Sequence, residues 1–227
     1  MKNSNIDTDF VTEITCEECH KTFDVECRTL IDTVKNTDVV NQVLDASWFT
    51  YTCPYCRHRQ IVLYPCLYHD GLRHTLIAFA DRTDNNLSYE KFRKLLSGKK
   101  TDTAYDKAIS GWLENSTVRL TDDFSSFQEK VLLSVLGLDD RAVEAAKYIN
   151  IMILEQQGTI KEVNQIYFNT DGSDWIFVIE DEKGEVYKSP LPKKMYEDVK
   201  AQIVPNLPDS IVVDQKWISA CMHKAAN

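Results

Sequence analysis

The sequence predicts an α+β protein, with a zinc-ribbon-like β core carrying inserted and following helices and a small C-terminal β-rich domain behind it. Three observations predict it. Cys16-Glu17-Glu18-Cys19 and Cys53-Pro54-Tyr55-Cys56 put four thiols into two Cys-x-x-Cys knuckles, the set a tetrahedral structural zinc requires. Short runs of alternating apolar and polar residues flank both knuckles with the period of a strand. From residue 159 onward the pattern turns to strands again, punctuated by Asp171-Gly172 and Lys183-Gly184. The domains are expected at 10–156 and 159–227.

Taken in order, residues 10–14 enter the first knuckle as a strand and 22–26 leave it. Asp38 is placed to cap a helix through Val39, Val40, Val43 and Leu44. The second arm repeats the first, with 48–52 entering and 60–64 leaving. The stretch between the knuckles, 20–52, is longer than usual ribbon spacing, and the inserted helix accounts for the excess. Residues 76–80 read as a buried strand. Ser88 and 91–96 suggest an amphipathic helix stopped by Gly98, followed by a solvated loop at 99–102. Residues 117–120 add a strand.

Ser126 and Glu129 fit a capping box before Val131, Leu132, Val135 and Leu136, and Gly137 breaks that helix. Asp139-Asp140 set negative charge at the start of the next, over 139–156. That helix presents Ala142, Val143, Ala146, Ile149, Ile153 and Leu154 to a core, and Gly158 ends it. Strands follow at 162–168, 175–179 and 185–189, then a helix over 194–203 and a loop marked by Pro205 and Pro208. Residues 211–213 and 217–218 are expected to return to the sheet.

Composition narrows the functional classes. Hydrophobic content of 43% and charged content of 27% are those of ordinary globular proteins. The net charge of −9 is spread along the chain, so no segment carries the positive field that general phosphate binding draws on. The first ten residues lack the apolar core of a secretion signal, and the most apolar run, 148–154, is too short to span a bilayer. A cytoplasmic setting is expected, with no membrane association. There the seven cysteines favour metal ligation and reduced thiols over a disulfide framework.

Cys16, Cys19, Cys53 and Cys56 are therefore the expected metal ligands, holding one structural zinc. A four-thiolate set leaves no open position for water, so the metal's work is folding. Two redox dithiols are the competing reading, but such motifs sit at strand-to-helix junctions whereas strands flank both pairs here. Iron in the same cage is a further alternative. Cys27, Cys66 and Cys221 read as small buried hydrophobes, and His20 and His58 as exposed turn residues. His69 and Asp70 carry the elements of a carboxylate-oriented imidazole, yet neighbours on a strand face opposite ways. With Asp70-Gly71 reading as a turn, a structural role is favoured. No Ser-His-Asp set, phosphate-binding glycine loop or His-Glu-x-x-His motif occurs, so no catalytic residue and no organic cofactor is assigned. Trp48, Phe49, Tyr51, Tyr64 and Tyr68 read as core or interface, and Asp139-Asp140-Arg141 as a helix start.

The knuckles and two further stretches carry a resemblance. Cys53-Pro54-Tyr55-Cys56, the run Tyr64-Pro65-Cys66-Leu67-Tyr68-His69-Asp70, and the helical stretch from Glu129 to Arg141 resemble the CpXC domain, a bacterial and archaeal family named for paired Cys-Pro-x-Cys motifs. The first knuckle departs from it, with Glu17 where proline is frequent. His20 and Arg57 stand where ribbon motifs commonly have glycine. The resemblance covers roughly 12–156. It implies the zinc-ribbon fold and the metal, and no activity. The residues favour a non-enzymatic protein-interaction module. A nucleic-acid-binding ribbon using Arg57, His58, Arg59 and exposed aromatics is one alternative. An enzyme with its site in the inter-domain cleft, around His69 and Asp70, is the other.

Overall fold

A computed structural model describes residues 9–36, 38–81, 86–97 and 104–225, so the expected Gly98 stop and the 99–102 loop lie outside the described residues. The architecture is mixed α+β, as expected, with seven α-helices among the described residues. The chain divides into two compact units, Met1–Val131 and Leu132–Asn227.

The first unit begins with two antiparallel ribbons. β1 (Phe10–Thr15) pairs with β2 (Thr22–Cys27) around the first knuckle. β4 (Thr50–Thr52) pairs with β5 (Arg59–Ile61) around the second. The second entry strand is shorter than expected because Ser47–Phe49 forms a 3-10 turn. Between the ribbons lie β3 (Leu30–Asp32) and the six-residue helix α1 (Val39–Leu44). Asp38 precedes α1 but makes no side-chain cap bond: its backbone is already αR, the wrong geometry for a cap.

β6 (Cys66–Asp70), β7 (Thr75–Phe79) and β8 (Thr117–Thr121) join β3 in a four-stranded sheet of order β3-β6-β7-β8. β3 runs parallel to β6 and β7 parallel to β8, while β6 and β7 are antiparallel. Every residue of β6 and β7 is buried, the state that near-continuous apolar strands such as Thr75–Phe79 are suited to. On one face Ile31, Tyr68, Ile77 and Phe79 pack with Val25 and Cys27 of β2, Phe49, Tyr64 and Phe127. Aromatic rings knit this core, with Phe49 5.3 Å from Tyr64 and 5.0 Å from Phe124, and Phe79 5.7 Å from Phe127. Two further helices, α2 (Asn86–Leu96) and α3 (Ala104–Leu113), belong to this unit, and α3 carried no sequence expectation.

Helix α4 (Phe124–Leu136) starts earlier than the expected capping box at Ser126. Asp123 accepts the Ser126 N–H at 2.8 Å, so a carboxylate three residues upstream does the capping and Ser126 lies within the first turn. Gly137, at φ +68°, closes the helix in the left-handed region, with the Leu138 N–H donating to Leu133.

In the second unit, α5 (Asp140–Gln156) is capped by Asp139, which accepts the Arg141 N–H at 3.0 Å. β9 (Val163–Asp171), β10 (Asp174–Asp181) and β11 (Val186–Pro190) form an antiparallel sheet of order β11-β10-β9. Ile166, Phe168, Phe177 and Ile179 pack with Ala142, Val143, Ala145 and Ala146 of α5. Tyr196 and Val199 of α6 (Lys193–Gln202) and Ile218 of α7 (Gln215–Ala225) complete this core. Trp217 and Ile218 thus lie on a helix. Ile153, expected in the core, is 41% exposed, whereas Glu144 and Lys147 are buried. Their ion pair at 3.0 Å and a 2.6 Å bond from Gln215 Nε2 to Glu144 replace the lost hydration.

Candidate metal centre

Each knuckle folds the same way. The His20 N–H donates to the Cys16 carbonyl and the Cys16 N–H to Lys21, both at 3.0 Å. In the second, the Arg57 N–H donates to Cys53 at 3.0 Å and the Cys53 N–H to His58 at 2.8 Å. To close these turns His20 and Arg57 adopt φ of +58° and +67°. They occupy the positions where glycine is common, and they do what glycine does, at a steric cost glycine does not carry.

The turns bring the four sulfurs of Cys16, Cys19, Cys53 and Cys56 within 4.8 Å of one another. Cys16 and Cys56 lie 3.6 Å apart, and Cys19 and Cys53 lie 3.7 Å apart. A tetrahedron with zinc–sulfur bonds of about 2.3 Å has edges of about 3.8 Å, so these spacings fit one metal ion. They are far above a disulfide bond of about 2.0 Å. Burial pushes the Cys53 thiol up, but the N–H groups of Cys56 and Tyr55 and the thiols of Cys16 and Cys56 outweigh it and bring it to about 6. At Cys56 the His58 N–H lowers the thiol, while desolvation and the three neighbouring sulfurs raise it further, to about 12. Each thiolate raises the cost of ionising the sulfurs beside it. Four thiolates together therefore need a cation among them.

Gln60 is a residue the sequence did not single out. It is 8% exposed, and from β5 its Oε1 accepts the Glu17 N–H at 3.1 Å while its Nε2 donates to Thr15 at 3.2 Å. One amide thus ties the second ribbon to the backbone of the first knuckle. The available signal was a polar side chain on the buried side of an alternating run whose neighbour, Ile61, is 53% exposed.

The other singled-out residues scatter. Cys27 and Cys66 are fully buried, and Cys221 is half-buried. His20 is exposed and His58 half-buried. Phe49, Tyr64 and Tyr68 are in the core. His69 and Asp70 both lie on β6 and point apart. Asp70 is fully buried and accepts the N–H groups of Leu72 and Arg73 and the Arg73 guanidinium at 2.7 Å. Burial raises its carboxyl, and these donors more than offset that, holding it below the ordinary carboxylate range. His69 meets Asp32 instead, Nδ1 to Oδ1 at 3.3 Å, and stacks on Trp112 at 3.9 Å.

No helix among the described residues is long and apolar enough to cross a membrane. Searches of curated proteins and of solved structures gave no match. The profile of the CpXC protein family matches residues 14–147, a span that holds both knuckles, the four-stranded sheet, all of α4 and the first two turns of α5. The chain belongs to the CpXC protein family.

Proposed function

We propose that the four cysteines hold one structural zinc and that the N-terminal unit is a non-enzymatic protein-interaction module built around it. The observation that carries this reading is the closed sulfur set: four Sγ atoms at tetrahedral spacing, with no histidine or carboxylate in the cluster. Such a site supplies folding free energy on the order of 10 kcal/mol and no position for a reacting water. The interaction is carried by the surface that the staple holds. The outer side of the second ribbon presents Ile61, 53% exposed, and Leu63, 42% exposed, with Arg59 beside them and Tyr55 at the knuckle. Apolar side chains rimmed by arginine suit a protein partner with an apolar projection and an acidic border. The burial of Phe49, Tyr64 and Tyr68 takes away three of the five rings counted toward a base-stacking surface.

The test has two arms. Elemental analysis of the purified chain is expected to give one zinc per molecule, lost in Cys53→Ser together with the ordered fold of the N-terminal unit. A metal-free wild type that titrates as two redox dithiols overturns the zinc assignment. With the native cell extract, the tagged chain is expected to retain a protein that Ile61→Asp/Leu63→Asp loses at unchanged zinc content. Equal capture by both removes this surface from the proposal.

A further inference from the structure

The outward faces of the two ribbons differ in character. In β1–β2 the inner side turns Ile14, Phe23 and Val25 toward the core, so alternation sends Glu13, Asp24 and Glu26 outward together with Val11, which is 66% exposed. Glu13 stands directly opposite Asp24, and Val11 opposite Glu26. Like charges in register work against the ribbon's own pairing, and no lysine or arginine shares that face to relieve them.

β4–β5 carries the opposite sign. Gln60 is buried, so Arg59, Ile61 and Leu63 alternate outward from it, and Arg57 is exposed beside the knuckle. Asp45 feels the charge of Arg59 without pairing with it. Among the described residues no ion pair uses Arg57, Arg59, Glu13, Asp24 or Glu26. Both faces also run in the same order. Starting from its knuckle, the second ribbon presents Arg59 and then Ile61 and Leu63, while the first presents Glu13 with Asp24 and then Val11. With the knuckles laid at the same end, Arg59 meets the Glu13–Asp24 pair and the apolar side chains meet Val11.

We infer that the partner of the second ribbon is the first ribbon of a second copy of this chain. This rests on the reading of Ile61, Leu63 and Arg59 as the docking surface, and it names what docks there: Val11 as the apolar projection, bordered by carboxylates. Two different faces meet, so the contact is heterologous and each copy offers one of each. The six-residue strands of the first ribbon give a face of about 20 Å by 10 Å. That is well short of a permanent subunit interface, so the association is weak and reversible. Complementary charge sets the partner and the register, and the apolar contact adds to the affinity. The net charge of −9 opposes the approach of two copies wherever acidic surfaces meet, which leaves the basic rim of the second ribbon as the side a second copy can approach.

The test is sedimentation of the full zinc-loaded chain over a concentration series up to about 1 mM. The wild type is expected to pass from monomer to larger species as concentration rises, and added salt to weaken the association. Arg59→Glu, and separately Glu13→Lys/Asp24→Lys, are each expected to weaken it about tenfold or more at unchanged zinc content. Mixed together, the two variants are expected to associate again, because each supplies the face the other has lost and the altered faces have exchanged sign. A wild type that stays monomeric throughout overturns the proposal. So does association that either variant leaves unchanged, or a mixture that fails to recover it. Should the double lysine variant lose its zinc, unchanged association in Val11→Asp overturns the proposal equally. A monomeric wild type that still retains a different protein from the extract, lost in Ile61→Asp/Leu63→Asp, removes the second copy as partner and leaves the docking surface standing.

Discussion

Arg57 closes the second knuckle with a φ of +67°, a conformation that costs an L-residue roughly 1–2 kcal/mol and glycine nothing. Its side chain is exposed, so little packing is lost by removing it. Arg57→Gly is therefore expected to stabilise the zinc-loaded protein. The larger entropy of a glycine in the unfolded chain takes back about 0.4–1 kcal/mol, leaving a net gain of about 0.5–1 kcal/mol. Thermal unfolding at saturating zinc measures it, and a lower midpoint would mean that the arginine itself holds the turn. This strain was legible in the sequence, because a Cys-x-x-Cys turn needs a positive φ at that place whatever residue stands there. The partner of His69 was not legible. Its adjacency to Asp70 drew attention to the wrong carboxylate, since strand alternation separates those two and register brings Asp32, thirty-seven residues earlier, to the ring. Sequence neighbours are visible in one dimension, and cross-strand neighbours are not.

At the scale of elements, the two ribbons were readable because each carries its own alternation and its own knuckle. What joins them besides metal was hidden in a single amide. Gln60 donates to one ribbon's backbone and accepts from it, and the Glu17 N–H and the Thr15 carbonyl lose a partner together if it is cut back. Gln60→Ala is expected to destabilise the N-terminal unit by about 1–3 kcal/mol, the net worth of two hydrogen bonds. It should also raise the rate at which a chelator strips the metal. Denaturant titration and competition with a chromogenic chelator read the two effects, and a variant matching the wild type in both would assign Gln60 to packing alone. Helices were legible where caps are strong, as with Asp139 before α5. They were missed where the signal is diffuse: α7 follows a proline-marked loop, and its Trp217 and Ile218 look strand-like out of context. On α5 the expected apolar stripe holds at Ala142, Val143, Ala146, Ile149 and Leu154 and fails at Ile153, while Glu144 and Lys147 are buried as well, because an ion pair with a glutamine partner can be buried where its sequence suggests a solvated face.

For the whole chain, the two cores rest on different foundations. In the first unit Val25, Cys27 and Phe49 reach the core from the ribbons or from the turn leading into them. Ribbons of two strands are too small to stand unaided, so the sulfur staple fixes the positions from which those side chains pack. The second unit draws its core from one sheet, from α5, α6 and α7 and from Leu133 at the end of α4, with Phe168, Phe177, Val143, Tyr196 and Ile218 among its members and no cysteine among the buried ones. Removing the metal is therefore expected to act on one core and spare the other. Under a strong chelator, amides of β1, β2, β4 and β5 should lose hydrogen-exchange protection, followed by those of β3 and β6. Those of β9, β10 and α5 should keep theirs. Lower pH should act in the same direction, because protons compete with the metal for the four sulfurs and binding weakens as thiolates are protonated. Uniform loss of protection across 10–220 would instead mean that the second core depends on the first. Protection unchanged everywhere would mean that the ribbons hold without the staple, and the reading of the centre as a folding element would fall with it.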